Sequence, residues 1–225
     1  SARVQAALAD AGRPAEERAR DANRKPVETL AFFGIREDMD VLELVPGGGW
    51  YSRLLAPALA GTGSLSVWIG VDRFADRFTG LGLEGVEIAA PEAALQSTER
   101  RGIFSLPAVD FGQETYDAVL TFRNLHNLTP EARATLNRAV FGALRPGGVY
   151  GVVDHTRRHM APDDAENRRR LDPVVVIHEA LAAGFVFEAW SDLHHRLDDE
   201  LRYEVGRRSV SGNTDRFTLR FRKPQ

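Results

Sequence analysis

The sequence predicts one α/β domain built on a mostly parallel sheet, with helices on both faces and an antiparallel last strand. Three observations carry this. From Asp40 onward, short buried-type apolar runs alternate with stretches of helical spacing, the pattern of parallel strands joined by helical crossovers. The first run, Asp40-Val41-Leu42-Glu43-Leu44-Val45, ends in Pro46-Gly47-Gly48-Gly49 and leads into helical spacing from Trp50 to Leu59: strand, tight turn, helix. The last two runs, Phe185 to Trp190 and Phe217 to Phe221, have no long helical pattern between them, so the final strand is expected to run antiparallel.

Taken in order, residues 1–12 are Ala-rich and read as a helix or a loose arm. Residues 14–33 carry helical spacing that Pro26 divides, because proline lacks an amide donor and restricts Lys25. Ser64 to Val71 reads as the second strand, ended by Asp72. Between 73 and 104 the pattern is weak; Val86-Glu87-Ile88 and Ile103 to Leu106 look like strand pieces. Tyr116 to Phe122 is a buried strand. Thr129-Pro130-Glu131 starts a helix with a threonine cap and proline in the first turn, and Arg145-Pro146-Gly147-Gly148 stops it. Val149 to Val153 is the next strand, ended by Asp154-His155, and a helix runs from Asp172-Pro173 to Ala183-Gly184. In such sheets ligands sit beyond the carboxyl ends of the strands, so the loops after Val45, Asp72, Phe122 and Asp154 are the ones to inspect.

The chain has 225 residues, 43% hydrophobic and 27% charged, which suits a single soluble domain with one sizeable core. Its net charge of −3 provides no basic field for nucleic acid or anionic lipid. The run Arg168-Arg169-Arg170, preceded by Asp163-Asp164, reads as a solvated helix face. There are no cysteines, which excludes disulfides and thiolate sites. No apolar run is long enough for a membrane span. The cytoplasm is the default compartment. The sequence given starts at Ser1, and a signal segment ahead of it would mean export.

The glycine turn narrows the ligand. Three successive glycines allow backbone angles closed to other residues and let a ligand approach the main chain, while the helix start favours an anionic group. A phosphate-cradling loop needs Gly-Lys-Ser/Thr, and the two lysines, Lys25 and Lys223, are both far from it. The spacing also departs from the G-x-G-x-x-G of dinucleotide sites, and no tyrosine has a lysine four residues on. Asp72 follows Gly49 at a distance that suits a ribose-binding acid. An adenosine cofactor without phosphates fits: ribose on Asp72, amino-acid carboxylate on the amides of Pro46 to Gly49, ammonium near Glu43.

The segment Val41 to Tyr51 resembles the first motif of class I methyltransferases, an acid at a strand end followed by a glycine loop, with Val45 where those enzymes commonly carry the first glycine. More closely, the chain is similar to a group of bacterial predicted methyltransferases. These carry an Arg-Lys-Pro segment, a Pro-Gly-Gly-Gly-Trp-Tyr loop and an Arg-Asn-x-His-Asn segment, here Arg24-Lys25-Pro26, Pro46 to Tyr51 and Arg123-Asn124-Leu125-His126-Asn127. Leu144 to Gly148 is also typical of methyltransferases. The resemblance spans roughly residues 14–223. It implies a Rossmann-like class I methyltransferase fold, a seven-stranded sheet with an antiparallel last strand. It also implies S-adenosylmethionine as cofactor and a small-molecule methyl acceptor. Residues 34–225 would form that domain, and 1–33 a helical arm or lid whose Arg18, Asp21, Arg24 and Lys25 cover the cofactor.

Methyl transfer is an in-line displacement that needs alignment above all, and an oxygen or nitrogen acceptor also needs a base. The loop Arg123 to Asn127 faces the transferred methyl in class I enzymes. His126 is the first choice for the base; alternatively it, Asn124 and Asn127 bond the backbone and hold the loop. Arg123 fixes an acidic substrate or the cofactor carboxylate, or pairs with a nearby acid. Asp154 and His155 point to the same rim, Asp154 orienting an acceptor or a histidine, or capping a turn. Tyr51, beside the glycine turn, joins the cofactor set. His155 and His159 lack a third partner, so no metal is expected. His194-His195 reads as surface and His178 as packing.

Overall fold

The computed structural model describes residues 1–225. A seven-stranded sheet runs in the order β3-β2-β1-β6-β7-β9-β8. Its strands are β1 (Asp40–Leu44), β2 (Ser64–Trp68), β3 (Val86–Ile88), β6 (Tyr116–Phe122), β7 (Leu144–His155), β8 (Val186–Ser191) and β9 (Arg216–Arg222). Neighbours from β3 to β7 pair in parallel, while β9 lies antiparallel to both β7 and β8. The expected sheet and its antiparallel last strand are therefore both present. In the weakly patterned stretch, β4 (Gln96–Ser97) and β5 (Phe104–Ser105) pair with each other outside the main sheet.

Alternation along each central strand builds a core on either face. Leu42, Leu44, Val119, Tyr150 and Val152 face the helices α7 (Pro130–Ala143) and α8 (Pro173–Ala182). Val41, Val67, Ala118 and Leu120 face the other way, toward α4 (Pro26–Phe32) and α5 (Ser52–Leu59). Helix α7 starts as its sequence dictates: the Thr129 hydroxyl accepts from the Ala132 amide at 3.1 Å, and Pro130 occupies the first turn.

Of the two forms expected for residues 1–12, the structure shows the helix. Helix α1 (Ala2–Ala9) buries Val4 and Ala7 in the same core as Leu54 and Leu55 of α5. Short helices α2 (Ala15–Arg18) and α3 (Asp21–Arg24) follow, then α4, with Pro26 as its first residue and Lys25 left-handed before it. Phe33, fully buried, packs on the bare backbone of Gly151, where a Cβ would fall 2.9 Å from its ring. The segment is thus part of the sheet's second core. No helix is long and apolar enough to cross a membrane.

The basic run differs from its expected form. Residues 168–170 are not helical, and Arg170 is buried, doubly hydrogen-bonded to Asp199 at 2.8 and 3.0 Å. Asp199 and Glu204, in the loop before β9, supply the partners that sequence order hides. The histidines divide as well. His194 is buried, while His195 is more than half exposed and paired with Asp215. His178 is exposed on α8 rather than packed.

Candidate active site

The turn after β1 opens at the carboxyl edge of the sheet. The Val45 amide donates to the Trp68 carbonyl at 2.7 Å, keeping β1 and β2 in register, and the chain then turns sharply. Val45 has φ +49°, the left-handed region that a β-branched residue rarely adopts. The backbone here takes a glycine-type conformation although the residue is valine. Gly47 (φ +58°) has open space where a side chain would be, and Gly48 has only the Arg77 guanidinium nearby. Gly49 is different: a Cβ there would overlap Leu81, so its bareness accommodates packing from within the protein, not a ligand.

A cavity of about 270 Å³ lies against this turn, between the ends of β1 and β6 and the N-terminal segment. Glu43 forms its floor. It is buried and accepts from the Ser52 hydroxyl at 2.6 Å; burial pushes its carboxyl up to about 7. Asn124 donates to the carbonyls of Leu44 and Val45 at 3.0 and 3.2 Å, closing the end of β1. Tyr51 stacks on Phe122 with ring centroids 3.6 Å apart and donates to the Arg24 carbonyl. Burial raises the Tyr51 hydroxyl to about 12, so it remains a neutral donor. The lining is mixed in charge, with Glu16, Glu17 and Glu43 facing Arg20, Arg24, Arg77 and Arg123.

Arg24, Arg20 and Arg123 also line a second cavity, of about 420 Å³, on the side of β7 and β9. Arg123 follows β6 with φ +64°, its amide donating to the Val153 carbonyl at 2.7 Å. His155, Thr214 and Arg216 complete that wall. His155 Nδ1 lies 2.8 Å from the Thr214 hydroxyl. Burial, then the charges of His126 and the nearby arginines, hold its imidazole well below the usual range, so it is neutral at pH 7.

Asp154 lies fully buried between these groups. Its carboxylate accepts from the amides of His126 and His155 at 3.2 and 2.7 Å and is bonded to His126 Nδ1 at 2.5 Å. The expected trio is thus brought together, with the rings of His126 and His155 5.3 Å apart. Their accessibility differs. The His126 side chain is 5% exposed and lines neither cavity, whereas His155 opens onto the second.

Asp72 is not brought to the site. It lies exposed on a short 3-10 turn (Asp72–Phe74) and lines neither cavity. The β1–β2 register is the reason: Ile69 and Gly70 emerge beside the glycine turn, and Gly70 holds Leu95 through its carbonyl. Two further residues carry Asp72 past the turn. Glu43, Pro46, Gly47, Gly48, Tyr51, Arg123 and Asn124 do line the first cavity.

Sequence reading missed Arg20, Thr214 and Arg216, and it took His194 for surface. His194 Nε2 is 3.0 Å from the Arg24 carbonyl and Nδ1 2.7 Å from the Thr218 hydroxyl, tying the N-terminal segment to β9. The only signal was the strand Phe217 to Phe221, whose start carries Arg216 to the carboxyl edge of the neighbouring β7. No group of three His, Asp or Glu side chains comes together as a metal site.

No protein-family model and no curated protein matches the chain. Solved structures do. A SAM-dependent methyltransferase from Aquifex aeolicus is 18% identical with a TM-score of 0.60, over 98% of this chain and 97% of that one. The 1,6-didemethyltoxoflavin-N1-methyltransferase of Burkholderia thailandensis, solved with S-adenosylhomocysteine, is 17% identical with a TM-score of 0.59, over 92% and 80%. The cyclase SpnF is also 17% identical, at 0.58, over 90% and 81%. The strand order, the reversed β9 and these likenesses agree: the chain has the Rossmann-like fold of class I methyltransferases.

Proposed function

We propose that the protein transfers the methyl group of S-adenosylmethionine to a small-molecule acceptor. One observation carries this reading. Below the glycine turn, a buried acid, bare main chain at Gly47 and Gly48, and the Arg24 guanidinium meet in one mixed-charge cavity. An α-amino acid needs such a set: Glu43 for its ammonium, the turn amides and Arg24 for its carboxylate. The methionine end of the cofactor fits these residues. Asp72 lines neither cavity, so the reading does not rest on it.

When bound, the cofactor supplies an electrophilic methyl on a sulfonium, which leaves without acid assistance. The chain's own task is then to hold the acceptor in line and to take its proton. His155 is better placed for the second task than His126, because it opens onto the larger cavity while His126 lines neither. Asp154 and His126 are positioning residues: the Asp154 carboxylate fixes the His155 amide and the 125–127 turn.

Thermal unfolding with S-adenosylmethionine, S-adenosylhomocysteine and NAD in turn tests the proposal. A ligand at 100 times its dissociation constant adds about 2.7 kcal/mol. Stabilisation by the two sulfur ligands is expected; stabilisation by NAD alone would overturn it. A second reading is a protein that binds an adenosyl ligand without methyl transfer. Val45 in the glycine position and the absence of Asp72 from the cavity favour it. Sulfur-ligand binding without transfer to any acceptor would select this reading.

A further inference from the structure

The two cavities share Arg20, Arg24 and Arg123 but differ in their remaining charges. The smaller contains three glutamates. The larger contains Arg20, Arg24, Arg123, Arg169 and Arg216 and not one acid. Among these, Arg169 is held by Glu204. Arg24 and Arg216 are 5% and 6% exposed, yet neither pairs with a carboxylate. Arg216 bonds only the carbonyls of Asn23 and Thr214. Arg24 stacks over Trp50 and leaves its N–H groups to the cavities.

Holding Arg24 and Arg216 away from water without a paired carboxylate is unfavourable twice over, through lost hydration and through repulsion between neighbouring guanidiniums. Burial and the neighbouring arginines depress Arg24 to about 9 and Arg216 to about 10, and lower Arg123 as well. Ordinary surface arginines avoid this cost by pairing or by exposure. The remaining lining, Asn23, Ser211, Thr214 and the main chain of Gly206 and Gly212, is also polar, with Val205 the single apolar side chain. Guanidinium forks match planar or tetrahedral oxyanions two bonds at a time.

We infer that the 420 Å³ cavity is the acceptor subsite and takes a small organic acid with two or more negative charges, carried on phosphate or carboxylate groups. The identity of this cavity as an acceptor site rests on the methyl-transfer reading; its preference for a polyanion rests on the arginines alone. One guanidinium is occupied by the cofactor carboxylate, and the others still require at least a dianion. His155 lies in the same wall, within reach of an acceptor so anchored.

The test uses the full chain in a chloride buffer free of phosphate and carboxylate, with titration calorimetry. The probes are pyrophosphate, citrate and glycerol, each with and without saturating S-adenosylhomocysteine. Pyrophosphate or citrate is expected to bind at micromolar to low-millimolar concentration, and glycerol not at all; which anion binds more tightly separates phosphate from carboxylate acceptors. Arg123→Gln and Arg216→Gln should each weaken the better anion at least tenfold. Arg20→Gln, at the exposed lip, should weaken it severalfold without risk to the fold. Arg138→Gln, on the exposed face of α7, should leave it unchanged. No anion binding, or equal binding by all four variants, overturns the inference. If S-adenosylhomocysteine still binds in that case, the methyl-transfer reading stands alone. Anion binding without any binding of the sulfur ligand overturns the acceptor assignment together with that reading. Binding of a single-stranded oligonucleotide, with none of the small anions, also overturns it.

Discussion

The Arg24 guanidinium lies 4.3 Å over the ring of Trp50, so the N-terminal segment and the residue that closes the glycine turn support each other. The same indole donates to the Glu17 carbonyl at 3.0 Å. Trp50→Phe removes the indole donor and weakens the stack. It is expected to cost about 1 kcal/mol of stability and to raise amide exchange across residues 15–25. Unchanged exchange in that stretch would mean that other contacts, such as Arg53 with Glu17, hold it.

Val45→Gly should make the protein more stable. A left-handed L-residue costs roughly 1–2 kcal/mol, and Val45 recovers only part of that by packing on the core. A net gain of about 1 kcal/mol would raise the melting temperature by about 2–4 °C. A lower melting temperature would show that the valine side chain outweighs its backbone.

Glu43 makes the fold lose stability as pH rises through the mildly acidic range. Its folded value, about 7, lies above the ordinary 4.5 because of burial. The native state therefore holds the proton longer than the unfolded chain, and stability falls as pH rises from about 4.5 to 7. Glu43→Gln should match the parent near pH 4.5 and exceed it above pH 7, by on the order of 3 kcal/mol. Urea unfolding at pH 5 and pH 8 reads the difference. The same substitution should weaken S-adenosylhomocysteine, since it removes the charge proposed to face the ammonium.

His194 acts in the opposite direction over nearly the same pH range. Burial holds its imidazole down to about 4 from 6.5. The unfolded chain binds the proton first, so stability is complete above about 6.5 and is lost as pH falls toward 4. His194→Gln should flatten the acid limb of the stability profile while lowering stability at pH 7. A parallel profile for the two proteins would remove His194 as the cause.

His155→Ala is expected to lower kcat by about 10²–10⁴-fold for an acceptor that must lose a proton. Cofactor affinity should hardly change, because His155 does not line the smaller cavity. Retention of turnover within a factor of a few would return the proton-acceptor role to another group.

The sheet was readable because its strands are apolar on both faces and its turns carry glycine or proline at the right places. The glycine turn, the loop from Arg123 to Asn127 and the pair Asp154-His155 were readable for the same reason: each ends or directly follows a buried strand. Asp72 was chosen by distance along the chain, which does not reveal register; the Val45–Trp68 bond sets Ile69 and Gly70 beside the glycine turn and Asp72 two residues farther on. Arg20, Arg216 and Thr214 were hidden because their proximity depends on a crossing of distant segments. Arg170 shows the same effect, its burial depending on Asp199 in a loop without periodicity. His194 looked superficial in a charged stretch, and only its bonds to Thr218 and the Arg24 carbonyl draw it inside.

Strand β9 follows β8 in the chain yet is inserted between β7 and β8. During synthesis β8 therefore emerges before the strand that separates it from β7, and it has no neighbour in the sheet until β9 arrives. Arg216 and Arg24, drawn from opposite ends of the sequence, meet only after the insertion. The arginine cavity therefore depends on β9 being in place, whereas the glycine turn after β1 is built from residues near one another in the chain.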